Sequence, residues 1–176
     1  MQAEDRAASA SKPTESVEAV LKESRLRFLR KSSPVVLPSD TSVGEVIRRL
    51  QGSQDGAALI TESDGRLAGI FTERDYLDKI AVADKRARSR QSFDTPIERL
   101  MTRSPRTLTP DHTVGDAIQL MTQGGYRHIP VVEPDGRIYG LVSASDAVAF
   151  IAEHFPAEVF NLPPRFHQPI RTREGG

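Results

Sequence analysis

The chain repeats itself. Slid along itself by 71 positions, residues 33–81 align without a gap on residues 104–152, and 15 of the 49 positions are identical. Ordinary residue frequencies would give about three. The matches include Ser33-Pro34 with Ser104-Pro105, then Asp40, Val43, Gly44 and Ile47 with Asp111, Val114, Gly115 and Ile118. Further on, Asp64-Gly65-Arg66 pairs with Asp135-Gly136-Arg137, Gly69 with Gly140, and Asp75 with Asp146. This is a tandem duplication, so the chain builds one small unit twice. A single copy of about 50 residues is near the lower limit of independent stability. The pair, sharing one core, is the expected folding unit.

Both copies carry the same order of signals. After Ser-Pro comes a short apolar stretch (Val35–Leu37; Thr107–Leu108), read as a brief strand. Asp40-Thr41-Ser42 and Asp111-His112-Thr113 are capping stretches that open a helix. Val43, Val46, Ile47 and Leu50 then recur at helical spacing, as do Val114, Ala117, Ile118 and Met121. Two apolar runs around an Asp-Gly turn predict a hairpin: Ala57–Ile60 with Leu67–Phe71, and Ile129–Val132 with Ile138–Val142. A closing helix begins near Thr72 and near Ser143. The expected fold class is α+β, two tandem β-α-β-β-α repeats packed face to face around a shared core.

The expected organisation runs as follows: residues 1–14 disordered, 15–31 a helix, 32–83 the first repeat, 84–94 a charged linker, 95–155 the second repeat and 156–176 a Pro-rich tail. The helix Glu15–Lys31 would dock on the pair through Val17, Val20, Leu21 and Phe28. Thr95-Pro96-Ile97-Glu98 reads as a capping box with proline at the first helical position, opening a short helix to about Met101. The prolines from Pro156 onward predict an extended or disordered tail.

Composition narrows the chemistry. No cysteine is present, which excludes disulfides, thiolate catalysis and cysteine-held metals. None of His112, His128, His154 and His167 stands at paired ligand spacing, so no metal is expected. Lys+Arg and Asp+Glu are equal at 24 each, which argues against nucleic acid or an anionic membrane as partner. The linker cations Lys85, Arg86, Arg88 and Arg90 lack an aromatic platform and read as a solvated connector. No apolar run reaches the roughly 18 residues that span a bilayer, and the expected location is the cytoplasm. There is no nucleophile–base set and no P-loop, so the chain is not read as an enzyme.

Both hairpins end in the same way, Gly69-Ile70-Phe71-Thr72-Glu73-Arg74-Asp75 and Gly140-Leu141-Val142-Ser143-Ala144-Ser145-Asp146. Each brings a strand end onto a helix start, where unpaired N–H groups suit a phosphate. The hydroxyl of Thr72 or Ser143 can donate to that phosphate, and the carboxylate of Asp75 or Asp146 can accept from a ribose diol. The glycine would let a ligand approach closely. Thr72-x-x-Asp75 and Ser143-x-x-Asp146 also read as capping boxes, and duplication copies caps as readily as sites.

Residues 33–155 resemble the CBS (cystathionine β-synthase) domain, and the tandem pair resembles the two-repeat Bateman module. The resemblance rests on the Ser-Pro starts, Tyr126-Arg127-His128-Ile129-Pro130-Val131-Val132, the Asp-Gly turns and the two Gly-h-h-Ser/Thr-x-x-Asp segments. It implies that the repeats pack through their sheets into one pseudo-twofold module, leaving two clefts that take adenosine-containing ligands: AMP foremost, or ADP, ATP, NAD or S-adenosylmethionine, none of them an obligatory cofactor. It assigns the ribose to Asp75 and Asp146 and phosphate contacts to Arg127 and His128. In the first repeat these two positions are Gly56 and Ala57, and Arg74 is matched by Ser145. The richer cleft is therefore expected to combine Thr72, Arg74 and Asp75 with Arg127 and His128. A second, around Ser143 and Asp146, would be vacant or hold a less charged ligand. Family likeness further implies a homodimer and a separate effector protein as partner. The expectation is a regulatory module that senses an adenosyl nucleotide and signals by conformational change; the alternative is a ligand-free dimerisation scaffold.

Overall fold

The computed structural model describes residues 16–29, 34–81 and 93–160. The expectations for residues 1–14, for Lys85–Arg90 and for the chain beyond residue 160 lie outside the described residues.

Each repeat folds around its hairpin. In the first, β2 (Ala57–Thr61) pairs antiparallel with β3 (Leu67–Thr72), while β1 (Val35–Pro38) runs parallel to β2 on the other side. In the second, β5 (His128–Val132) pairs antiparallel with β6 (Ile138–Ser143) in the same register, His128 opposite Ser143 as Ala57 is opposite Thr72. Asp-Gly makes both turns because Gly65 and Gly136 sit at φ 83° and 86°, where a Cβ would clash with the backbone. The amphipathic helices α2 (Val43–Gln51) and α4 (Val114–Gly124) start on the Ser42 and Thr113 side-chain caps. Their apolar stripes cover the outer faces of the hairpins.

The inner faces meet. Ala57, Leu59 and Ile70 pack with Leu141, flanked by Leu67 and Ile138. The hairpin tips also touch, the Leu67 amide donating to the Gly136 carbonyl at 3.0 Å. The repeats thus pack through their sheets, as the family resemblance implied.

A second bond between the repeats was not foreseen. Leu26 and Leu29 are buried with Val114, Ile129 and Phe150 of the second repeat, whereas Ile97 and Met101 are buried with Val43, Ala58 and Phe71 of the first. The hydrogen bonds repeat at the same offset of 71. Leu26 and Arg27 amides donate to the His112 and Pro110 carbonyls, and Ile97 and Glu98 amides donate to the Thr41 and Ser39 carbonyls. Val114 donates to Ser24, and Val43 to Thr95. The segment leading into each repeat completes the core of the other.

Four departures from the sequence reading lie in or beside these exchanged segments. The helix expected over Glu15–Lys31 is α1 (Val17–Glu23) followed by a 3-10 turn (Leu26–Phe28), because Ser24 and Arg25 leave the helix to pair with the second repeat. The break rotates the face: Leu26 is fully buried and Phe28, expected inside, is 81% exposed. The capping box expected at Thr95 does not open the next helix. Pro96 is the cap of a 3-10 turn (Ile97–Arg99), and backbone carbonyls of the first repeat satisfy its free amides. The strand expected at Thr107–Leu108 contracts to one parallel bridge between Leu108 and Val131. Instead Thr102–Arg103 forms β4, pairing with β3 at the edge of the first repeat's sheet.

The closing helices differ. In the second repeat α5 (Ala144–His154) is continuous, while in the first α3 (Glu73–Tyr76) passes into a π turn (Leu77–Ala81). The tail expected to be extended from Pro156 begins with another helix, α6 (Pro156–Phe160). Proline is tolerated there because the first helical residue has no amide bond to lose.

Candidate functional site

Both closing helices begin with a reciprocal cap. The Asp75 amide donates to Thr72 Oγ1 at 3.3 Å, and Asp75 Oδ2 accepts from the Thr72 amide at 2.9 Å and its hydroxyl at 2.7 Å. Ser143 and Asp146 do the same, with amide and hydroxyl each 2.7 Å from Asp146 Oδ2. The helix starts are tied to the residues before the hairpin strands: Glu73 N–H to the Gly56 carbonyl, Ala144 N–H to the Arg127 carbonyl. So strand start and helix start of each repeat form one rigid corner.

The two corners open onto a single cavity of about 540 Å³. Thr72, Arg74, Asp75, Arg127, His128 and Ser143 all line it, together with Ser104, Pro105 and Arg106. Asp146 does not. The sequence reading expected one cleft combining Thr72, Arg74 and Asp75 with Arg127 and His128, and the geometry brings those five together. It expected a separate cleft around Ser143 and Asp146; instead Ser143 faces the same cavity.

Charges of both signs line the cavity, the acids being Glu73 and Asp75. Arg74, Arg106 and Arg127 line it, and none carries an ion pair or side-chain hydrogen bond among the described residues. Such guanidinium groups are free to meet an anion bidentately. His128 is half-buried, and burial, together with the charge of Arg127, pulls its imidazole below the usual value despite the Asp55 carbonyl. It is neutral near pH 7 and offers one N–H. Half-burial pushes Asp75 up, but hydrogen bonds from Lys79 and Thr72 and the Lys79 charge outweigh it, leaving the carboxyl below its ordinary value. Asp75 stays ionised.

Sequence reasoning missed Ser104, Arg106, Thr102 and Lys79. The Ser-Pro mark pointed to the right segment, but nothing local says that it crosses to the cavity. Ser104 has φ 46°, unusual for any residue but glycine and costlier before a proline. Gly69 also has a different role from the one expected. A Cβ there would lie 2.6 Å from Met101 Sδ and 2.7 Å from the Thr102 carbonyl, so its bareness admits β4 rather than a ligand. Among the described residues no group of three or more His, Asp or Glu could hold a metal, and no helix is long and apolar enough to cross a membrane.

A family profile described as CBS domain matches residues 27–82 and again residues 97–153. The chain belongs to the CBS domain family. Its two CBS repeats form the paired Bateman arrangement found in solved CBS-domain proteins. One is the CBS-domain-containing protein ATU1752 of Agrobacterium tumefaciens, 29% identical, with a TM-score of 0.61 over 72% of this chain and 98% of that one. Another is the CBS domain protein PAE2072 of Pyrobaculum aerophilum, solved with AMP, 27% identical, with a TM-score of 0.61 over 73% and 98%. Among curated relatives, a 17.7 kDa protein of Acidianus ambivalens is 31% identical over 111 residues, 63% of either chain. The chain spans less than two thirds of the curated relatives it matches first, and only 23% of the Arabidopsis CBS domain-containing protein CBSCBSPB5.

Proposed function

We propose that this CBS pair binds an adenosine nucleotide, of the AMP, ADP or ATP type, in the cavity between its repeats and signals by a change of conformation. The observation that carries the reading is the convergence of Thr72, Arg74 and Asp75 with Arg127 and His128 on one cavity of about 540 Å³. That volume lies in the range of about 300–1,000 Å³ usual for small-molecule sites. The acid would accept the ribose diol, while the guanidinium groups of Arg74, Arg106 and Arg127 would take phosphate oxygens. The AMP complex of the similar Pyrobaculum protein supports the same ligand class. For the switch to work, the nucleotide must bind two arrangements of the pair unequally.

A homodimer in the cytoplasm, acting on a separate effector protein, completes the proposal. Thermal denaturation with AMP, ADP, ATP, NAD and S-adenosylmethionine tests it. A ligand at 100 times its dissociation constant adds about 2.7 kcal/mol of stability, which is readily seen as a raised Tm. A panel that leaves Tm unmoved sinks the ligand reading.

One observation favours a second reading, a ligand-free scaffold. Both Asp75 and Asp146 are engaged in caps, so each has a structural duty without any ligand. Arg74, Arg106 and Arg127 have no such duty among the described residues, and they tip the balance toward nucleotide binding.

A further inference from the structure

Resting on the reading of Asp75 as the acid that takes a ligand's ribose, we infer that Lys79 is a built-in competitor for that ribose, whose displacement unties the end of the first repeat from the start of the second. A carboxylate has about four acceptor directions, two on each oxygen. All four are occupied on Asp75. Oδ2 accepts from the Thr72 amide at 2.9 Å and hydroxyl at 2.7 Å. Oδ1 faces Lys79 Nζ at 2.6 Å and the Thr102 hydroxyl at 3.4 Å. The Oδ2 bonds hold the helix start and stay. A ribose diol needs two acceptors, so it must take Oδ1, and Lys79 and Thr102 must let go.

Lys79 has a second attachment. Its ammonium donates to the Leu100 carbonyl at 2.7 Å. It stands in the π turn Leu77–Ala81, just before residues 82–92, while Leu100 follows that segment. One side chain therefore links Asp75, the π turn and the lead-in of the second repeat. Isolated π turns inside helices are uncommon and concentrate at functional positions. The second repeat has no such device. Phe150, which matches Lys79, is buried in the core, and among the described residues Asp146 accepts only from Ser143, on one oxygen. Competition thus acts on the first repeat alone and couples its ligand to the junction between repeats.

The test titrates AMP calorimetrically into the full chain and its Lys79→Met, Lys79→Arg, Thr102→Val and Asp75→Asn variants. Hydrogen exchange of residues 77–81 and 97–103 is followed in parallel, with and without AMP. An ion pair of this exposure is worth about two- to fivefold in affinity. Lys79→Met should bind AMP tighter by about that factor, Thr102→Val by less, and Lys79→Arg like the wild type. AMP should speed exchange at residues 77–81 in the wild type; in Lys79→Met exchange should be fast from the start and unchanged by AMP. Binding by Lys79→Met but not by the wild type also supports the inference. If Lys79→Met binds AMP equally or more weakly while Asp75→Asn abolishes binding, Lys79 positions the acid and the inference is overturned alone. If Asp75→Asn binds like the wild type, or neither wild type nor Lys79→Met binds AMP, the ribose reading falls and takes the inference with it.

Discussion

Thr72 and Asp75 are locked together by three hydrogen bonds, and they are also two of the residues that wall the cavity. The same acid therefore serves stability and, on our proposal, recognition. Asp75→Ala separates the two. Loss of the cap should cost about 1 kcal/mol, a Tm drop of a few degrees, and the nucleotide-induced rise in Tm should vanish. A variant that is destabilised but binds AMP normally would show that the acid is only a cap.

Arg106 reaches the cavity from the lead-in of the second repeat and has no ionic partner among the described residues. Charged hydrogen bonds of this kind contribute about 1.5–3 kcal/mol, so Arg106→Gln should weaken ATP binding about tenfold or more. Adenosine, which lacks phosphates, should bind the variant and the wild type alike. Equal loss for both ligands would mean that Arg106 shapes the cavity instead of reading charge.

Acid should weaken the ligand-free fold in two steps. His128 has a folded-state value below its ordinary 6.5, so the unfolded chain binds the proton more readily. Stability falls as pH drops below 6.5 toward the depressed folded value, because protonation favours the unfolded state. Asp75 and Asp116 are held below the ordinary 3.8, so their contribution is present above 3.8 and disappears as pH falls through their lowered values. Denaturation midpoints between pH 8 and 3 check both steps. A bound phosphate should raise the His128 value, which proton NMR of the imidazole reads directly; an unmoved resonance would remove His128 from the phosphate site.

Gly69→Ala should be costly without touching any ligand contact. Its methyl would need the space of Met101 Sδ and the Thr102 carbonyl. Overpacking of this kind costs about 1–3 kcal/mol. The strain falls on the strand that leads to Ser104 and Arg106, so nucleotide affinity should drop as well. Unchanged stability would show that β4 can move away freely.

Leu26→Ala deletes a fully buried side chain from the second repeat's core although it precedes the first repeat in sequence. The expected loss is about 2–5 kcal/mol, measurable by urea denaturation. Residues 93–160 expressed alone should lack a cooperative transition and regain it when mixed with residues 16–81. Independent folding of either piece would contradict the exchange of lead-in segments.

What the sequence disclosed was local or periodic. The hairpins were legible because Asp-Gly fixes a turn geometry, and the helices because Val43, Val46, Ile47 and Leu50 share one face. Duplication called for a shared core, and the family resemblance for its lying between the two sheets. Arg127 and His128 were named through the family resemblance, and they and Arg74 have no like counterpart in the other repeat. Thr72, Asp75, Ser143 and Asp146 stood out because the two corners recur at one offset. Lys79 and Arg106 were invisible for the opposite reason: their counterparts are Phe150 and Val35, so repetition says nothing of them. Leu26 and Leu29 looked like part of one amphipathic helix. Only long-range hydrogen bonds to residues 110–114 rotate that face, and no periodicity encodes a partner 86 residues away.

Because each lead-in segment lies in the other repeat, the molecule is clasped by two crossed arms. A protease that nicked the chain anywhere in residues 82–92 would yield two fragments, each still gripping the other's unfinished core. The covalent bridge adds proximity but is not what joins the halves. The same logic applies to one repeat taken by itself: its own arm fits the core of a second copy and leaves its own core open, so joining two copies in one chain lets the exchange be made within a single molecule.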